Sequence, residues 1–142
     1  MADVVPISEG LRSAREAMLA EHLDARNRGD IDGLLATFST PRVELIPSGR
    51  VLDGVDDVRS YLEDRQRSFP DMHVEPIALH HCEDSVVAEF WMSGTHQGAF
   101  DDIEATGRRF KIRGVSIYIF DGDRIGTQRL YYDTGTVARQ LA

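Results

Sequence analysis

The side chain best suited to proton transfer in this sequence is the carboxylate of Glu89. It stands between two apolar runs, residues 86–88 and 90–92. Apolar neighbours exclude water from a carboxylate, which raises its pKa toward the range of a general acid or base near neutral pH. We therefore predict that Glu89 is a catalytic residue. The alternative is a structural carboxylate, either paired with Arg113 or Arg129 across a sheet or exposed at an edge.

A second candidate for acid–base chemistry is His22, because imidazole titrates closer to neutral pH than any other unperturbed side chain. Three- and four-residue spacings place it on one helical face with Leu11, Ala14, Met18 and Ala25. We predict that His22 assists Glu89 and that Met18, on the same face, contacts the ligand. A hydrogen-bonded histidine in the core is the alternative.

The sequence gives little support for a metal site or a cofactor. His80 and His81 are adjacent, and neighbouring side chains in a strand face opposite sides, so this pair is poorly placed to chelate one ion. The single cysteine, Cys82, excludes a cysteine-based zinc cluster. No glycine-rich phosphate-binding motif is present. We therefore predict that the protein uses neither a metal nor an organic cofactor.

The composition is that of a globular protein, with 42% hydrophobic and 28% charged residues in a chain of 142. A net charge of −8 disfavours nucleic acid and anionic membranes as partners, since both require a basic surface. The N-terminus lacks a signal-peptide pattern and no segment is apolar enough to span a bilayer, which predicts a cytoplasmic protein. We expect one domain over residues 1–142, with residues 1–7 as a flexible arm.

The elements that must position these side chains fall into two groups along the chain. Caps and apolar periodicity predict helices over residues 8–28, 31–38 and 53–69, and a short C-terminal helix, 136–141, that begins near Asp133. Composition and turn signals predict strands over residues 43–46, 72–80, 85–96, 106–120 and 124–133. Helices followed by consecutive strands are typical of an α+β fold with an antiparallel sheet.

Six short motifs follow one another along this chain. They are Asn27-Arg28-Gly29-Asp30, Phe69-Pro70-Asp71, Gly94-Thr95-His96-Gln97-Gly98, Thr106-Gly107-Arg108-Arg109-Phe110, Asp121-Gly122-Asp123-Arg124-Ile125 and Tyr131-Tyr132-Asp133. In order and spacing they resemble the SnoaL-like polyketide cyclase family of the nuclear transport factor 2-like superfamily. The resemblance covers the chain from about Leu11 onward. It implies a cone-shaped fold, in which a curved antiparallel sheet packs on three N-terminal helices around one pocket.

The resemblance also assigns positions within that pocket. Cyclases of this family are thought to use a histidine and an acid on the last two strands, and counting through Phe110 and Ile125 puts these positions at Ser116 and Leu130. Neither residue exchanges protons near neutral pH. The same register places Glu89 inside the cone together with the predicted substrate-binding residues Trp91, Ser116, Tyr118, Gln128, Leu130 and Tyr132. The two tyrosines are suited to orienting a carbonyl or enol oxygen.

The function implied by the resemblance is a cofactor-free cyclase or isomerase. Its substrate would be a hydrophobic, oxygenated small molecule, such as a polyketide or another secondary metabolite. Two alternatives stay open: a binding protein that kept the cone and lost the acid–base residues, and a pocket that accelerates ring closure by shape alone. An apolar outer sheet face predicts a homodimer, and the resemblance implies the same, since members of the family form dimers.

Overall fold

A computed structural model describes residues 7–142, so the predicted N-terminal arm lies outside the described residues apart from Ile7. The order of elements is α1 (Glu9–Asn27), α2 (Ile31–Leu35), β1 (Arg42–Leu45), β2 (Arg50–Asp53), α3 (Val55–Ser68), β3 (His73–His81), β4 (Ser85–Thr95), β5 (Arg109–Asp121), β6 (Arg124–Tyr132) and α4 (Thr134–Leu141). Every predicted helix and strand is present, with ends shifted by up to three residues.

Short polar side chains cap the N-termini of α1 and α2. The Ser8 hydroxyl accepts a hydrogen bond from the backbone N–H of Leu11 at the start of α1, and the Asp30 carboxylate accepts one from Gly33 at the start of α2. Between these helices, Gly29 adopts a φ of 71°, a left-handed conformation that favours glycine. The chain therefore reverses between α1 and α2 without a linker. Among the helices of residues 7–142, none has the length and apolarity needed to cross a membrane.

The sheet has six strands in the order β2-β1-β6-β5-β4-β3. All neighbours are antiparallel except β1 and β6, which run parallel. Strand β2 was not predicted from the sequence. Its four residues begin with Arg50 and end with Asp53, so only the two central positions are apolar, too few to show an alternating pattern. The predicted turn at residues 47–49 joins β1 to β2.

The pairing of β4 with β5 decides which side chains face the helices. Ala88 lies opposite Ser116 in this register. The β4 side chains buried on the inner face are Val86, Ala88, Phe90 and Met92. Since side chains alternate between the two faces, Glu89 and Trp91 lie on the outer face of the sheet.

The prediction that Glu89 and Trp91 lie inside the cone is therefore wrong, by a register of one residue on β4. The physical reason is that β4 carries apolar residues on both faces: Val87 and Trp91 outside, and Val86 to Met92 at alternate positions inside. Alternation of hydrophobicity is then invisible in the sequence. On β5 and β6 the predicted register agrees with the structure, in which Ser116 lies opposite Leu130.

The buried face of α1 also differs from the predicted one. It carries Arg15, Leu19, His22, Leu23 and Ala25. Met18 is half-buried and packs at the margin of the core. The predicted stripe is therefore rotated by about one position, because residues at both i+3 and i+4 spacing share a helical face that is wider than a single row.

The wall of the cone contains one close approach that depends on glycine. A Cβ atom added to Gly114 on β5 would lie 2.6 Å from Cε2 of Phe90, a rigid ring that is 3% exposed. We expect Gly114→Ala to lower the free energy of unfolding by about 1–3 kcal/mol, the usual cost of overpacking a core. Urea denaturation measures this change.

The matched control is Gly10→Ala, in the first turn of α1, where an added Cβ meets nothing within 4 Å. We expect this variant to be neutral or more stable, because alanine favours the helix. Equal stability of Gly114→Ala and wild type would contradict the tight packing of Phe90 against β5.

Candidate functional site

Three cavities lie next to the helices, one among the helix ends and two between the helices and the inner face of the sheet. The mouth cavity, of about 120 Å³, is lined by the C-terminal ends of α1 and α3, at residues 25–31 and 65–72. The inner cavity, of about 50 Å³, lies among α1, α3 and the sheet. The aromatic cavity, of about 30 Å³, is bordered by Phe69, Phe100 and Phe110. Arg26 lines all three cavities, and therefore stands between the mouth and the interior.

Most of the predicted site residues meet in the inner cavity. His22, Ser116, Tyr118, Gln128 and Leu130 all line it, among apolar side chains from α1, α3, β1, β3 and β4. Leu130 also borders the aromatic cavity, where it meets Tyr132. The catalytic role of His22 and the binding roles of the other residues stay predictions. Met18 lines none of the three cavities.

The hydrogen bonds of His22 determine which of its ring nitrogens carries the proton. Nδ1 lies 2.8 Å from Oγ1 of Thr37, which in turn lies 2.6 Å from the carbonyl oxygen of Leu34. A carbonyl only accepts, so the single hydroxyl hydrogen of Thr37 is donated to Leu34. Thr37 therefore accepts from Nδ1–H of His22. The other nitrogen, Nε2, then keeps an unprotonated lone pair.

The electrostatic surroundings keep His22 neutral. Burial lowers the pKa of His22 to about 3, the positive charge of Arg26 acts in the same direction, and hydrogen bonding with Gln128 opposes them. The ring packs edge-on against Tyr118, with centroids 5.3 Å apart. At neutral pH the imidazole therefore carries no charge.

The neighbouring phenol is protonated. Burial raises the pKa of Tyr118 to about 12, against the opposing effects of hydrogen bonding with Ser116 and of the charge on Arg26. Nε2 of Gln128 donates to Oγ of Ser116 over 3.1 Å, which fixes both side chains on neighbouring strands. The inner cavity thus combines a neutral acceptor on His22 with a phenolic O–H group on Tyr118.

Two arginines in the cavities were missed by the sequence analysis. Arg26 follows His22 by four residues on α1, and Arg65 lies in the last turn of α3. Residues four apart share a helical face, so the spacing from His22 was the available signal for Arg26. Arg65 offered no such signal, because its position opposite Arg26 depends on how α3 packs.

The structure places Glu89 outside these cavities. Its carboxylate lies 2.8 Å from Nε2 of His80 and 3.9 Å from Nη2 of Arg113, and the side chain is 37% exposed. The hydrogen bond with His80 lowers the pKa of Glu89 more than desolvation raises it, and the charges of His80 and Arg113 act in the same direction as the hydrogen bond. The predicted rise in the pKa of Glu89 is therefore wrong, because the carboxylate contacts His80 and Arg113 on the outer face in addition to its apolar neighbours. Ion pairing across the sheet, the structural alternative, describes this residue.

Trp91 shares this outer face. Nζ of Lys111 lies 5.1 Å and Cζ of Arg113 lies 5.2 Å from the centre of its ring, both within cation–π distance. The indole is thus covered by two cations of the neighbouring strand β5. The predicted contact between Trp91 and a ligand in the cone is excluded by this position.

The two histidines at the C-terminal end of β3 contact carboxylates. His81 lies 2.8 Å from Glu16 on α1, just as His80 contacts Glu89. Within residues 7–142, no group of three or more histidine, cysteine or acidic side chains is arranged to hold a metal ion. These histidines therefore connect β3 to its neighbours.

The buried, neutral state of His22 predicts how stability depends on pH. Its pKa falls from 6.5 in the unfolded chain to about 3 in the folded protein, so the unfolded chain binds the extra proton between these values. The contribution to stability is complete above pH 6.5 and is lost as pH falls toward 3. Relative to His22→Gln, we expect wild type to lose about 1.4 kcal/mol of unfolding free energy per pH unit between about pH 6 and 4.

Urea denaturation of both proteins at several pH values measures this difference. Glutamine keeps a donor for Thr37 and has no proton to gain, so its own effect on stability is independent of pH in this range. If the stability of wild type and variant stays parallel over the whole interval, folding does not lower the pKa of His22, and the pKa of about 3 is contradicted.

Comparisons with known proteins agree on the type of fold. The chain aligns over 93% of its length with 99% of a candidate polyketide cyclase from Xanthomonas campestris (TM-score 0.85, 20% identity). It aligns over 92% of its length with 96% of TsrD from Streptomyces laurentii (TM-score 0.80, 24% identity). A third similar structure is IdmH from Streptomyces antibioticus, a candidate polyketide cyclase (TM-score 0.77, 22% identity, 89% of this chain and 97% of that one). No curated protein matches the chain significantly in sequence. The family model for SnoaL-like polyketide cyclases matches residues 16–141, and the chain therefore belongs to the SnoaL-like polyketide cyclase family.

Proposed function

We propose that this protein cyclises or isomerises an apolar, oxygenated small molecule, such as a polyketide, by moving a proton at a carbon next to a carbonyl group. The observation that carries the proposal is the unprotonated Nε2 of His22, which shares the inner cavity with the protonated phenol of Tyr118. Membership of the SnoaL-like family supports the reaction class. Proton transfer of this kind requires neither a metal nor an organic cofactor.

The proposed step begins with the lone pair on Nε2 of His22. Nε2 takes a proton from the carbon next to the carbonyl, the electron pair of the C–H bond forms a C=C bond, and the carbonyl oxygen becomes an enolate. The O–H group of Tyr118 donates a hydrogen bond to that oxygen. In a cyclisation, the enolate carbon attacks a second carbonyl, and the new alkoxide takes the proton back from His22. In an isomerisation, the proton returns to a different carbon.

The arrangement around His22 supports this step. Because Thr37 accepts from Nδ1–H and donates to Leu34, the ring is held in the tautomer that directs a lone pair away from Thr37. This is the role that a second hydrogen-bonded group plays for a catalytic imidazole in other enzymes. When Nε2 gains a proton, the developing enolate provides the opposite charge in a site of low polarity.

The apolar lining of the cone supports an apolar ligand. Because the cavities are small, such a ligand must displace side chains when it binds. The inner and aromatic cavities of about 50 Å³ and 30 Å³ hold a few water molecules at most. Met72 and Met92 line them, and methionine changes rotamer more readily than a branched or aromatic side chain. We expect a ring-shaped ligand to enter by movement of these two side chains.

The role of His22 is tested by exchange at a carbon next to a carbonyl group. We expect the protein to accelerate the exchange of the α-protons of 2-tetralone, a simple bicyclic ketone, for deuterium in D₂O. In His22→Gln the acceleration should fall by about 10²–10⁴, the usual contribution of a positioned base. Proton NMR spectroscopy measures both rates.

Glu89→Gln is the matched control, because this carboxylate lies on the outer face and not in the cone. It should keep the wild-type rate. Loss of exchange in Glu89→Gln together with retention in His22→Gln would contradict the proposed site. An absence of acceleration by wild type for this ketone would contradict catalysis of enolisation and favour a binding role.

We further propose that the outer face of the sheet is covered by a second copy of the chain. Half-buried apolar side chains occupy this face on β4 and β5, namely Val87, Trp91, Val115, Ile117 and Ile119. Tyr131 on β6 is 38% exposed beside them. An apolar patch of this kind, with charged side chains beside it, is typical of a two-fold interface. A cytoplasmic location stays a prediction.

The homodimer is tested by light scattering coupled to gel filtration. We expect twice the mass of the 15.9 kDa chain, and we expect Ile117→Asp to give the monomer mass because a buried carboxylate would oppose association. Val55→Asp, at the exposed start of α3, is the control and should stay dimeric. A monomer mass for wild type at micromolar concentration would contradict the proposal.

A further inference from the structure

We propose that the ligand of the cone carries a carboxylate group, which Arg26 receives between the mouth cavity and the inner cavity. This inference deepens the proposed function, on which it rests, by naming the substrate class: an aromatic or polycyclic carboxylic acid. It comes from the position, partners and surroundings of two arginines that the proton transfer at His22 leaves without a role.

The guanidinium of Arg26 has no acidic partner. Within residues 7–142 it takes part in no ion pair and no side-chain hydrogen bond. The chain has 24 acidic and 16 basic residues, so carboxylates are in excess overall. Arg26 is half-buried, faces three cavities and has no carboxylate partner, so it is available to an external anion.

A second cation intensifies the positive field at this point. Arg65 lines the mouth and aromatic cavities with Arg26, and its side chain is 11% exposed. Its own nitrogens contact Asp64 at 3.4 Å and Asp101 at 3.7 Å, both largely exposed. Burial lowers the pKa of Arg26, and the charge of Arg65 acts in the same direction. Guanidinium groups stay protonated in proteins, so both charges persist and an anion between them would be stabilised.

The surroundings of the two arginines indicate what else the ligand contains. The aromatic cavity that they share is bordered by Tyr61, Phe69, Phe100, Phe110 and Tyr132. Cζ of Arg65 lies 5.0 Å from the ring centre of Tyr61 and 4.5 Å from that of Phe100, so stacking already holds this side chain in place. The planar fork of a guanidinium matches a carboxylate with two parallel hydrogen bonds. A flat, apolar body with one carboxylate fits both features.

The position of Arg26 also connects ligand binding to the chemistry of His22. The charge of Arg26 contributes to the low pKa of His22. A carboxylate bound to Arg26 neutralises that charge locally, so the pKa of His22 should rise in the complex. His22 would then be a stronger base toward a carboxylate ligand than toward a neutral ketone such as 2-tetralone.

The alternative is that Arg26 is solvated through the mouth cavity and selects no ligand. Two pairs of test ligands distinguish these cases: benzoate with benzamide, and 2-naphthoate with 2-naphthamide. The members of each pair have nearly the same shape and differ in charge. Isothermal titration calorimetry at neutral pH measures their dissociation constants with the full-length protein.

We expect at least one carboxylate to bind about ten- to a hundredfold more tightly than its amide, the range of a charge-assisted hydrogen-bonded pair. Arg26→Gln should abolish this preference and leave the affinity for the amide within about threefold. Arg26→Lys, which keeps the charge and loses the fork, should retain part of the preference. Arg67→Gln is the control, since Arg67 is 69% exposed on the same helix as Arg65 and should keep the full preference.

Three results would overturn the inference. The first is equal affinity of wild type for the carboxylate and the amide of both pairs. The second is no saturable binding of either carboxylate up to about 10 mM. The third is an equal loss of preference in Arg26→Gln and Arg67→Gln, which would indicate a general effect of net charge. A circular dichroism melt of each variant verifies that it is folded.

This test is separable from that of the proposed function. Carboxylate preference without His22-dependent proton exchange would leave Arg26 as a binding group and remove the catalytic role of His22. Proton exchange of 2-tetralone without a preference for carboxylates would keep the catalytic role of His22 and contradict the proposal that the substrate is a carboxylic acid. The ¹⁵N chemical shifts of the His22 ring, titrated with and without 2-naphthoate, provide the test of the coupling, because a rise in pKa appears only if the ligand reaches Arg26.

Discussion

The pairing of Ala88 with Ser116 across β4 and β5 is the constraint on which the site depends. Because side chains alternate along both strands, this one register assigns every residue of the central sheet to the cone or to the outer face. It places Ser116 and Tyr118 opposite the helices, where α1 brings His22 against them. A shift of β4 by one residue would turn Glu89 and Trp91 into the cone in place of Ala88 and Phe90.

The same register separates the charges of the protein. The chain has a net charge of −8, yet the linings of the inner and aromatic cavities contain arginines and no acidic residue. The carboxylates of the sheet, such as Glu44 and Glu89, pair with arginines outside these cavities. The interior is therefore positive inside a negative molecule. This field contributes to keeping His22 neutral, and it favours a ligand that carries a negative charge or develops one during the reaction.

Local signals in the sequence were sufficient for the helices and for most strands. Ser8, Asp30 and Asp133 cap helices where their side chains predict it. Local signals could not predict which side chains of β4 face the helices, because both faces of this strand carry apolar residues. Its orientation is determined by pairing with β5, which is distant in sequence. Arg65 was not predictable for a related reason: its approach to Arg26 depends on how α3 packs in the folded protein, which no local pattern in the sequence indicates.

The burial that makes His22 a neutral acceptor also costs the fold stability in acid, since the unfolded chain gains a proton that the folded protein refuses. A core built only for stability would place an apolar side chain beside Phe38 and Tyr118. The retained imidazole is instead held in one tautomer by Thr37, next to a guanidinium that makes its protonation still less favourable. Both costs decrease when an anion binds at Arg26, because the local positive charge is then balanced. The arrangement that destabilises the empty cone is thus the one that an anionic ligand would stabilise, which connects the polar groups of the interior to binding rather than to folding.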